Sequence, residues 1–342
     1  MLRSAAVERS GTLSRRALNR ATLARQFLLE RKKMKPLAAI EKLAGMQAQL
    51  PRPPFIGLSA RVEGFRREDL IRSIERGDVV RATMMRGTLH FVSRRDYVKL
   101  RTTLQPMLAF VALRGRTSGI DVDRVVADAR SFFKEPHTFD EFRKYVGKGD
   151  ERAIAYAVRM HLPLIQVPAD AQWGYSSAAV FKLFEDPIDP PDPQALVLRY
   201  LAAFGPASIN DMQTWSGLRG LRESFDALRP KLVTFTDERG KELFDLPKAP
   251  RPDEDVDAPV RFLPEYDNLL LGHIDRTRVV PEEYRQRMFT ANLAIPAAFL
   301  VDGFVAGTWK IERGKVKWEP FGRLSREANK ALEEESEKLT SF

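Results

Sequence analysis

Apolar residues recur at helical spacing in the stretch QALVLRYLAAF, and Gly205-Pro206 interrupts that spacing. Ser208 is a favoured helix-capping residue and predicts a second, short helix, INDMQTWSGL, before a third that begins near GLRESF. Two alternating stretches, 232–236 and 242–246, then flank the polar turn DERG and predict a β-hairpin. Three helices followed by a hairpin are the order of a winged-helix unit, in which the third helix enters a DNA groove and the hairpin forms the wing.

The same order of patterns recurs twice more along the chain. In residues 122–183 the helical stretches VDRVVADARSFFK, FDEFRKYVG and RAIAYAVRMH precede the strand-like stretches LPLIQVP and WGYSSAAVF. In residues 14–93 the stretch SRRALNRATLARQFLLER predicts one long first helix, and Pro36 starts a second. VVRATM and TLHFV then predict a hairpin around Arg86-Gly87. Repetition of one supersecondary pattern is a strong signal for the fold.

The pattern changes after residue 260. Short alternating stretches predict strands there, Asp302-Gly303 fits a hairpin turn, and SREANKALEEESEKL predicts a closing helix. Two acidic, proline-rich stretches, 187–194 and 247–259, are typical of exposed connectors. We therefore predict an α+β fold of three tandem winged-helix units followed by a small β-rich C-terminal domain. The predicted boundaries are 14–120, 121–186, 194–246 and 260–342.

Composition narrows the classes of function. The 342 residues include 56 Lys and Arg against 46 Asp and Glu, and a net charge of +10 favours a polyanionic partner. Arginine outnumbers lysine in the N-terminal third, which suits bidentate contacts with phosphate. The chain has no cysteine and its four histidines lack metal-ligand spacing, so neither a metal nor another cofactor is expected.

Targeting signals are absent from the sequence pattern. No apolar run reaches the roughly eighteen residues of a transmembrane helix, and MLRSAAVERSGTLSRR lacks the apolar centre of a secretory signal. We expect a cytoplasmic protein without membrane contact, associated with the bacterial nucleoid if its partner is DNA.

A pair of glutamines precedes a cluster of prolines in GMQAQLPRPPF. Gln47 and Gln49 would point the same way in an extended chain, whereas in a helix they would diverge by about 200°. Two adjacent amides can hold one water molecule and direct their carbonyl dipoles at a developing positive charge, although neither is a strong base. Taken alone, two glutamines near a helix end are more often simple caps.

Four segments together resemble the AlkZ-like winged-helix DNA glycosylases, a family that includes AlkZ and the YcaQ proteins. The segments are MQAQLPRPPFIGLSARV, RATMMRGTLHFV, FLPEYDNLLLGHIDRTRVV and VDGFVAGTWKI, in the family's order and across most of the chain. The family carries a Gln-apolar-Gln motif, or Gln-apolar-Asp in the YcaQ-like branch, so the resemblance implies that Gln47 and Gln49 are catalytic. It also implies a DNA glycosylase that excises cationic N-alkylated purines and, as some members do, unhooks interstrand crosslinks.

The implied chemistry suits such mild groups. A purine that carries a positive charge is already a good leaving group, so water attack at the sugar C1′ needs orientation and charge stabilisation rather than a strong acid. No lysine is singled out as a Schiff-base nucleophile, and we therefore expect a monofunctional glycosylase without lyase activity.

Six basic residues are predicted to contact DNA: Arg61, Arg81, Arg86, His90, His273 and Arg276. Arg86 lies at the predicted hairpin tip, which is either a wing that enters a groove or a plain tight turn. The stretch HIDRTR is either a basic hairpin or loop near the lesion, or a surface turn. Glu265 and Asp267 could form a carboxylate base, but bonds to backbone groups are the expected role.

The predicted partner is double-stranded DNA, alkylated or crosslinked, bound by a monomer, because three tandem units can surround a duplex without dimerising. Two alternatives stay open at this point. A non-catalytic winged-helix transcriptional regulator would dimerise on a preferred sequence, and a protein-interaction scaffold would show DNA affinity that does not fall steeply with salt.

Overall fold

The computed structural model describes residues 9–112, 117, 119–147, 149–289 and 294–340. Within these residues the chain forms fourteen α-helices and thirteen β-strands, so the mixed α+β class is confirmed. Each of the three helix-rich segments contains a β-hairpin, which two further helices follow in the first segment, and a β-rich segment comes after the three. The assignment of each segment to an independent winged-helix unit stays a prediction.

The N-terminal segment contains six helices and four strands. In chain order they are β1 (Arg9–Leu13), α1 (Arg15–Arg25), α2 (Pro36–Lys42), β2 (Met46–Gln47), α3 (Pro53–Ser59), α4 (Arg67–Glu75), β3 (Val79–Thr83), β4 (Leu89–Ser93), α5 (Arg94–Leu100) and α6 (Gln105–Ala112). Pro36 occupies the first helical position of α2, where a missing N–H costs nothing. The hairpin β3–β4 is antiparallel, and Arg86 and Gly87 at its turn both have positive φ, 58° and 72°.

The first helix is shorter than the sequence predicts. It ends at Arg25 rather than continuing to Arg31, because Phe27 adopts a left-handed conformation with φ of 56°. The side-chain amide of Gln26 donates to the carbonyl of Ala203 at 2.9 Å, which anchors the helix end to the third segment. A tertiary contact therefore ends the helix where the local sequence would extend it.

The second and third segments follow the predicted order closely. The second segment contains α7 (Val122–Phe132), β5 (His137–Thr138), α8 (Phe139–Val146), α9 (Glu151–His161), β6 (Leu164–Gln166) and β7 (Val180–Leu183). The third contains α10 (Pro193–Phe204), α11 (Ile209–Ser216), α12 (Arg222–Leu228), β8 (Val233–Asp237) and β9 (Glu242–Asp245). Thr138 and Ser208 cap α8 and α11 through reciprocal capping boxes with Glu141 and Asp211. The predicted cap at Ser208 is confirmed.

The C-terminal segment forms a four-stranded antiparallel sheet with a closing helix. Its elements are β10 (Arg261–Leu263), α13 (Arg285–Met288), β11 (Ala298–Val301), β12 (Phe304–Glu312), β13 (Lys315–Pro320) and α14 (Arg326–Thr340). Asp302 and Gly303 join β11 to β12 with φ of 46° and 79°, so the predicted hairpin turn is confirmed.

The hairpins of the first two segments share one sheet. The strand order is β2-β4-β3-β6-β7-β5, and Ala82 of β3 pairs with Ile165 of β6 across the junction. The third hairpin instead forms a separate sheet in which β1 runs parallel to β8. The short strand β2 therefore lies at one edge of the six-stranded sheet, directly beside β4.

A continuous apolar core joins the first segment to the third. It contains Met84 and Met85 of the β3–β4 turn together with side chains of α6 and of the three helices α10 to α12. Gly217, which ends α11, lies so close to the turn that an added Cβ would stand 3.3 Å from Cα of Arg86. The turn is therefore held between segments far apart in sequence, rather than projecting into solvent as a free wing.

Ion pairs tie the N-terminal segment to later parts of the chain. Arg25 pairs with Asp245 at 2.7 Å, and both side chains are at most 1% exposed. Arg16 and Arg20 share Asp302, and Arg31 pairs with Glu335. Several arginines of the N-terminal third thus form ion pairs within the chain, although the sequence pattern suggested that they contact phosphate.

Candidate active site

Gln47 lies at the end of the short strand β2. It pairs directly with His90 of β4, and the extended chain continues through Ala48, whose N–H donates to the carbonyl of Leu89 at 2.7 Å. The prolines then start α3 at Pro53. Of the two conformations considered for the glutamine pair, the extended one is present through Gln47 and Ala48.

Both glutamine amides are oriented by donors at the β3–β4 turn. The Oε1 atom of Gln47 accepts from the guanidinium of Arg86 at 2.8 Å, and Gln47 is 8% exposed. The Oε1 atom of Gln49 accepts from the main-chain N–H of Leu89 at 3.3 Å, and this side chain is exposed. The pair thus places one buried and one solvent-facing amide at the same hairpin turn.

Arg81 holds the main chain of the glutamine segment. Its guanidinium donates to the carbonyls of Ala48 and Gln49, both at 2.9 Å, and to the side chain of Gln166 on β6. It also lies 5.5 Å from the ring centre of Tyr175. Burial lowers the pKa of Arg81 to about 10, which leaves it charged at neutral pH. The expected DNA contact is replaced, in this conformation, by internal contacts that fix the segment.

Arg86 is half-buried at the turn and points at Gln47. Besides the Gln47 amide, its guanidinium donates to the main-chain carbonyl of Trp215 at the end of α11. Burial, and next the repulsion from Arg276, lower the pKa of Arg86 to about 10. Within the described residues neither Arg81 nor Arg86 forms an ion pair with a carboxylate, in contrast to the arginines of α1.

His90 is fully buried opposite Gln47. Its Nδ1 atom lies 3.0 Å from the carbonyl of Thr88, while Nε2 has no hydrogen-bond partner in the described part of the chain. Burial, and next the charge of Arg86, lower the pKa of His90 to about 3. At neutral pH the ring is therefore uncharged and cannot make the cationic DNA contact expected from the sequence.

The remaining predicted contacts divide into one half-buried residue and two buried ones. Arg276 lies half-buried with its guanidinium 3.8 Å from the ring centre of Phe289. Arg61 is 1% exposed and forms a bidentate ion pair with Asp267, at 2.7 and 2.9 Å. His273 is 3% exposed, with Nε2 2.9 Å from the carbonyl of Phe204. Arg61 and His273 therefore make internal contacts instead of the surface contacts expected of them.

Asn268 connects the C-terminal segment to the glutamine strand. Its Nδ2 atom donates to the carbonyl of Gly45 at 2.5 Å, and its Oδ1 atom accepts from the N–H of Gln47 at 3.3 Å. The neighbouring Asp267 accepts from Leu269 N at 2.9 Å, which confirms the expected bond to backbone, and also pairs with Arg61. Sequence reasoning missed Asn268, although it lies in the family-like stretch PEYDN beside the two acids that were considered.

The loop that follows Asn268 docks against the third segment. Tyr200 donates from its hydroxyl to the carbonyl of Gly272 at 2.7 Å, and the N–H of Ile274 donates to Asp211 at 3.0 Å. Of the forms considered for the stretch 273–278, the structure shows a loop with a 3-10 turn at Arg276–Arg278. This loop brings Arg276 close enough to Arg86 for its charge to lower the pKa of Arg86.

The described residues offer neither a metal site nor a membrane-crossing helix. They include no group of three or more histidine, aspartate or glutamate side chains arranged to hold a metal ion. None of the helices in the described ranges combines the length and apolar character needed to cross a membrane.

Comparisons with known proteins identify the family. A sequence profile described as DNA glycosylase AlkZ-like matches residues 40–342. The interstrand DNA cross-link repair glycosylase of Streptomyces sahachiroi is 26% identical, with 91% of this chain and 92% of that protein covered. The structure of the Streptomyces sahachiroi DNA glycosylase AlkZ superposes with a TM-score of 0.79 at 21% identity, over 97% of this chain and 98% of that one. The profile spans well over half of the sequence, and the chain belongs to the AlkZ-like DNA glycosylase family.

Proposed function

We propose that this protein excises cationic N-alkylated purines from double-stranded DNA by attack of water at C1′ of the deoxyribose, with Gln47 and Gln49 as the catalytic residues. The observation that carries this function is the position of the pair. Two amides are fixed at one hairpin turn, beside the guanidinium groups of Arg81 and Arg86, which form no ion pair within the described residues. Family membership favours a glycosylase over a transcriptional regulator.

The arginines at the turn supply a binding surface for phosphate. A guanidinium that is half-buried without a carboxylate gains strongly from a phosphate oxygen, because the bond is charge-assisted and partly shielded from water. Arg86 and Arg276 repel each other, which a shared anion would relieve. We therefore assign to these two residues the phosphates that flank the lesion.

The groups around the glutamines limit the substrates. Hydrogen bonds link Gln47 and Gln49 to Arg81, Arg86, Leu89 and Asn268, and none of these is an acid that could protonate a leaving base. Glu265 and Asp267 line the same cavity as Gln47, but within the described residues neither is hydrogen-bonded to it, so in this proposal cleavage of the C1′–N bond depends on the positive charge that alkylation places on the purine. Neutral damaged bases such as hypoxanthine are expected to be poor substrates.

The three helix-and-hairpin segments are proposed to act as winged-helix units around one duplex, so that a monomer suffices and chromosomal DNA of the nucleoid is the target. Gln49 lies at the exposed edge of the site, where a bulky adduct can approach it without complete extrusion of the base. The Streptomyces sahachiroi relative is named for repair of interstrand crosslinks. We extend that activity to this chain as part of the proposal.

Release of base from alkylated DNA tests the function. The purified protein is incubated with a duplex methylated by dimethyl sulfate and with a nitrogen-mustard crosslinked duplex, and free 7-methylguanine, abasic sites and unhooked strands are measured. Gln47→Ala plus Gln49→Ala should abolish release, whereas Gln194→Ala, which alters an exposed glutamine at the start of α10, should not. Release by wild type that does not exceed release by the double variant would refute the catalytic assignment.

A further inference from the structure

Gln47 and His90 form a directly opposed pair in the antiparallel ladder of β2 and β4. Side chains of such a pair stand on the same face of the sheet, with their Cβ atoms about 4.5 to 5.5 Å apart. The two side chains are therefore neighbours in the interior, although they are separated by the whole of α3, α4 and β3 in sequence.

The orientation of the Gln47 amide is fixed by Arg86. A guanidinium only donates hydrogen bonds, so the atom that faces it at 2.8 Å must be the carbonyl oxygen Oε1. The amino end, Nε2, points elsewhere and meets no acceptor among the described residues. Gln47 thus offers a free donor at a side chain that is 8% exposed.

The tautomer of His90 is fixed in the same manner. A main-chain carbonyl only accepts, so Nδ1, 3.0 Å from the oxygen of Thr88, carries the hydrogen. Nε2 is then a bare lone pair, fully buried and without a partner in the part of the chain that the structure describes. A buried acceptor of this kind is normally satisfied by an ordered water molecule.

We propose that one water molecule bridges this pair and is the nucleophile, held at its oxygen by Nε2 of Gln47 and donating a hydrogen to Nε2 of His90, which takes its proton during the reaction. This role rests on the proposed glycosylase function. The water oxygen forms a bond to C1′ as the C1′–N bond breaks, and the electron pair of that bond neutralises the cationic purine. One proton of the water passes to His90, which then releases it to solvent.

A weakly basic imidazole is sufficient for this step. Water that has bonded to an oxocarbenium-like C1′ is a strongly acidic oxonium, so even a weak base accepts its proton. Burial and the charge of Arg86 lower the pKa of His90 to about 3, and these same factors keep the ring neutral before reaction and drive the proton off afterwards. Nδ1 of His90 also shapes the turn through its bond to Thr88, so the effect of losing that bond must be distinguished from the loss of the proton acceptor.

Chemical rescue separates the two roles. The variant His90→Ala is assayed with added imidazole or with added pyrrole, either of which can occupy the cavity left by the ring. Single-turnover release of 7-methylguanine from methylated duplex and the Kd for that duplex are measured. Pyrrole is nearly the same size as imidazole and keeps an N–H, but it has a C–H group in place of the second nitrogen and therefore cannot accept a proton there. We expect His90→Ala to lower the single-turnover rate constant at least about tenfold, the lower range for loss of a proton-transfer group, with Kd little changed. Imidazole should restore part of the rate, and pyrrole should not.

Equal rescue by both rings, or a rate in His90→Ala equal to that of wild type, would overturn the role of Nε2. If His90→Ala does not fold, His90→Phe, which fills the site with a somewhat larger aromatic ring, is measured instead. It should show the same loss, and a wild-type rate in that variant would likewise overturn the role. Wild-type protein that releases no 7-methylguanine would refute the proposed function itself, which keeps the two failures distinct.

Discussion

Arg81 donates from its guanidinium to the main-chain carbonyl of Gln49, at 2.9 Å, and to that of Ala48 at the same distance. One buried cation thus fixes the two carbonyls that follow Gln47, while a third contact, to Gln166, ties them to the second segment. The conformation of the glutamine segment depends on a planar group that can donate in several directions at once.

Arg81→Lys should therefore lower activity while the protein stays folded. An ammonium group keeps the charge but cannot reach three acceptors in a fork, so at least one carbonyl is left unpaired at a cost of about 1 to 3 kcal/mol. A shift of about 1 Å in catalytic groups can cost about a hundredfold in rate, and we expect a fall of ten- to a hundredfold in single-turnover release. Arg66→Lys, at an exposed position, serves as the matched control. Full activity in Arg81→Lys would show that the fork does not position the glutamines.

Local signals in the sequence predict the local features of this fold. Ser208 caps α11 and Asp302-Gly303 turns the last hairpin because each depends on residues only a few positions away. The glutamine segment is extended partly for a similar reason, since the prolines that follow it favour a break in the helix. The prediction that this segment is catalytic rests on the family resemblance rather than on the spacing of the two amides.

Features that depend on distant partners could not be predicted. Arg61 is 206 positions from Asp267, and nothing near it in sequence shows that its charge is neutralised internally. His273 is buried because Phe204 and Arg278 enclose it, and α1 ends early because Gln26 bonds to Ala203. A basic residue beside an apolar stretch has the same local pattern whether it contacts phosphate or a buried aspartate.

Arg86 and Gln47 should behave as one functional unit. If Arg86 acts in catalysis by orienting the Gln47 amide, Arg86→Lys should lower the single-turnover rate in wild type and have little further effect when Gln47 is already alanine. The four rates of this double-mutant cycle are measured at saturating protein, so that weaker phosphate binding does not enter. Additive losses would mean that Arg86 acts independently of Gln47, for example through phosphate alone.

The pair Arg61 and Asp267 should control stability rather than DNA binding. Both side chains are 1% exposed, and removal of one partner leaves an uncompensated buried charge. Arg61→Ala should lower the free energy of unfolding in urea by about 3 to 5 kcal/mol, whereas Arg61→Met with Asp267→Leu should cost considerably less. In the double variant the salt dependence of duplex binding should be unchanged. If the slope of log Kd against log salt concentration were smaller in the double variant by about the value of one phosphate contact, Arg61 would instead be a phosphate ligand.

The buried histidine His90 should make the protein less stable as the pH falls through mildly acidic values. Its pKa is about 3 in the folded chain against an ordinary 6.5, because burial and Arg86 disfavour the imidazolium. Between these values the unfolded chain binds a proton that the folded chain does not, so stabilisation present above pH 6.5 is lost as the pH decreases towards 3. For one such group the loss between about pH 7 and 5 is about 2 kcal/mol. Burial lowers the pKa of His273 too, which adds to the same trend. Urea unfolding of wild type and His90→Phe at pH 7, 6 and 5 should show a smaller decrease in the variant, and equal decreases would contradict a buried, neutral His90.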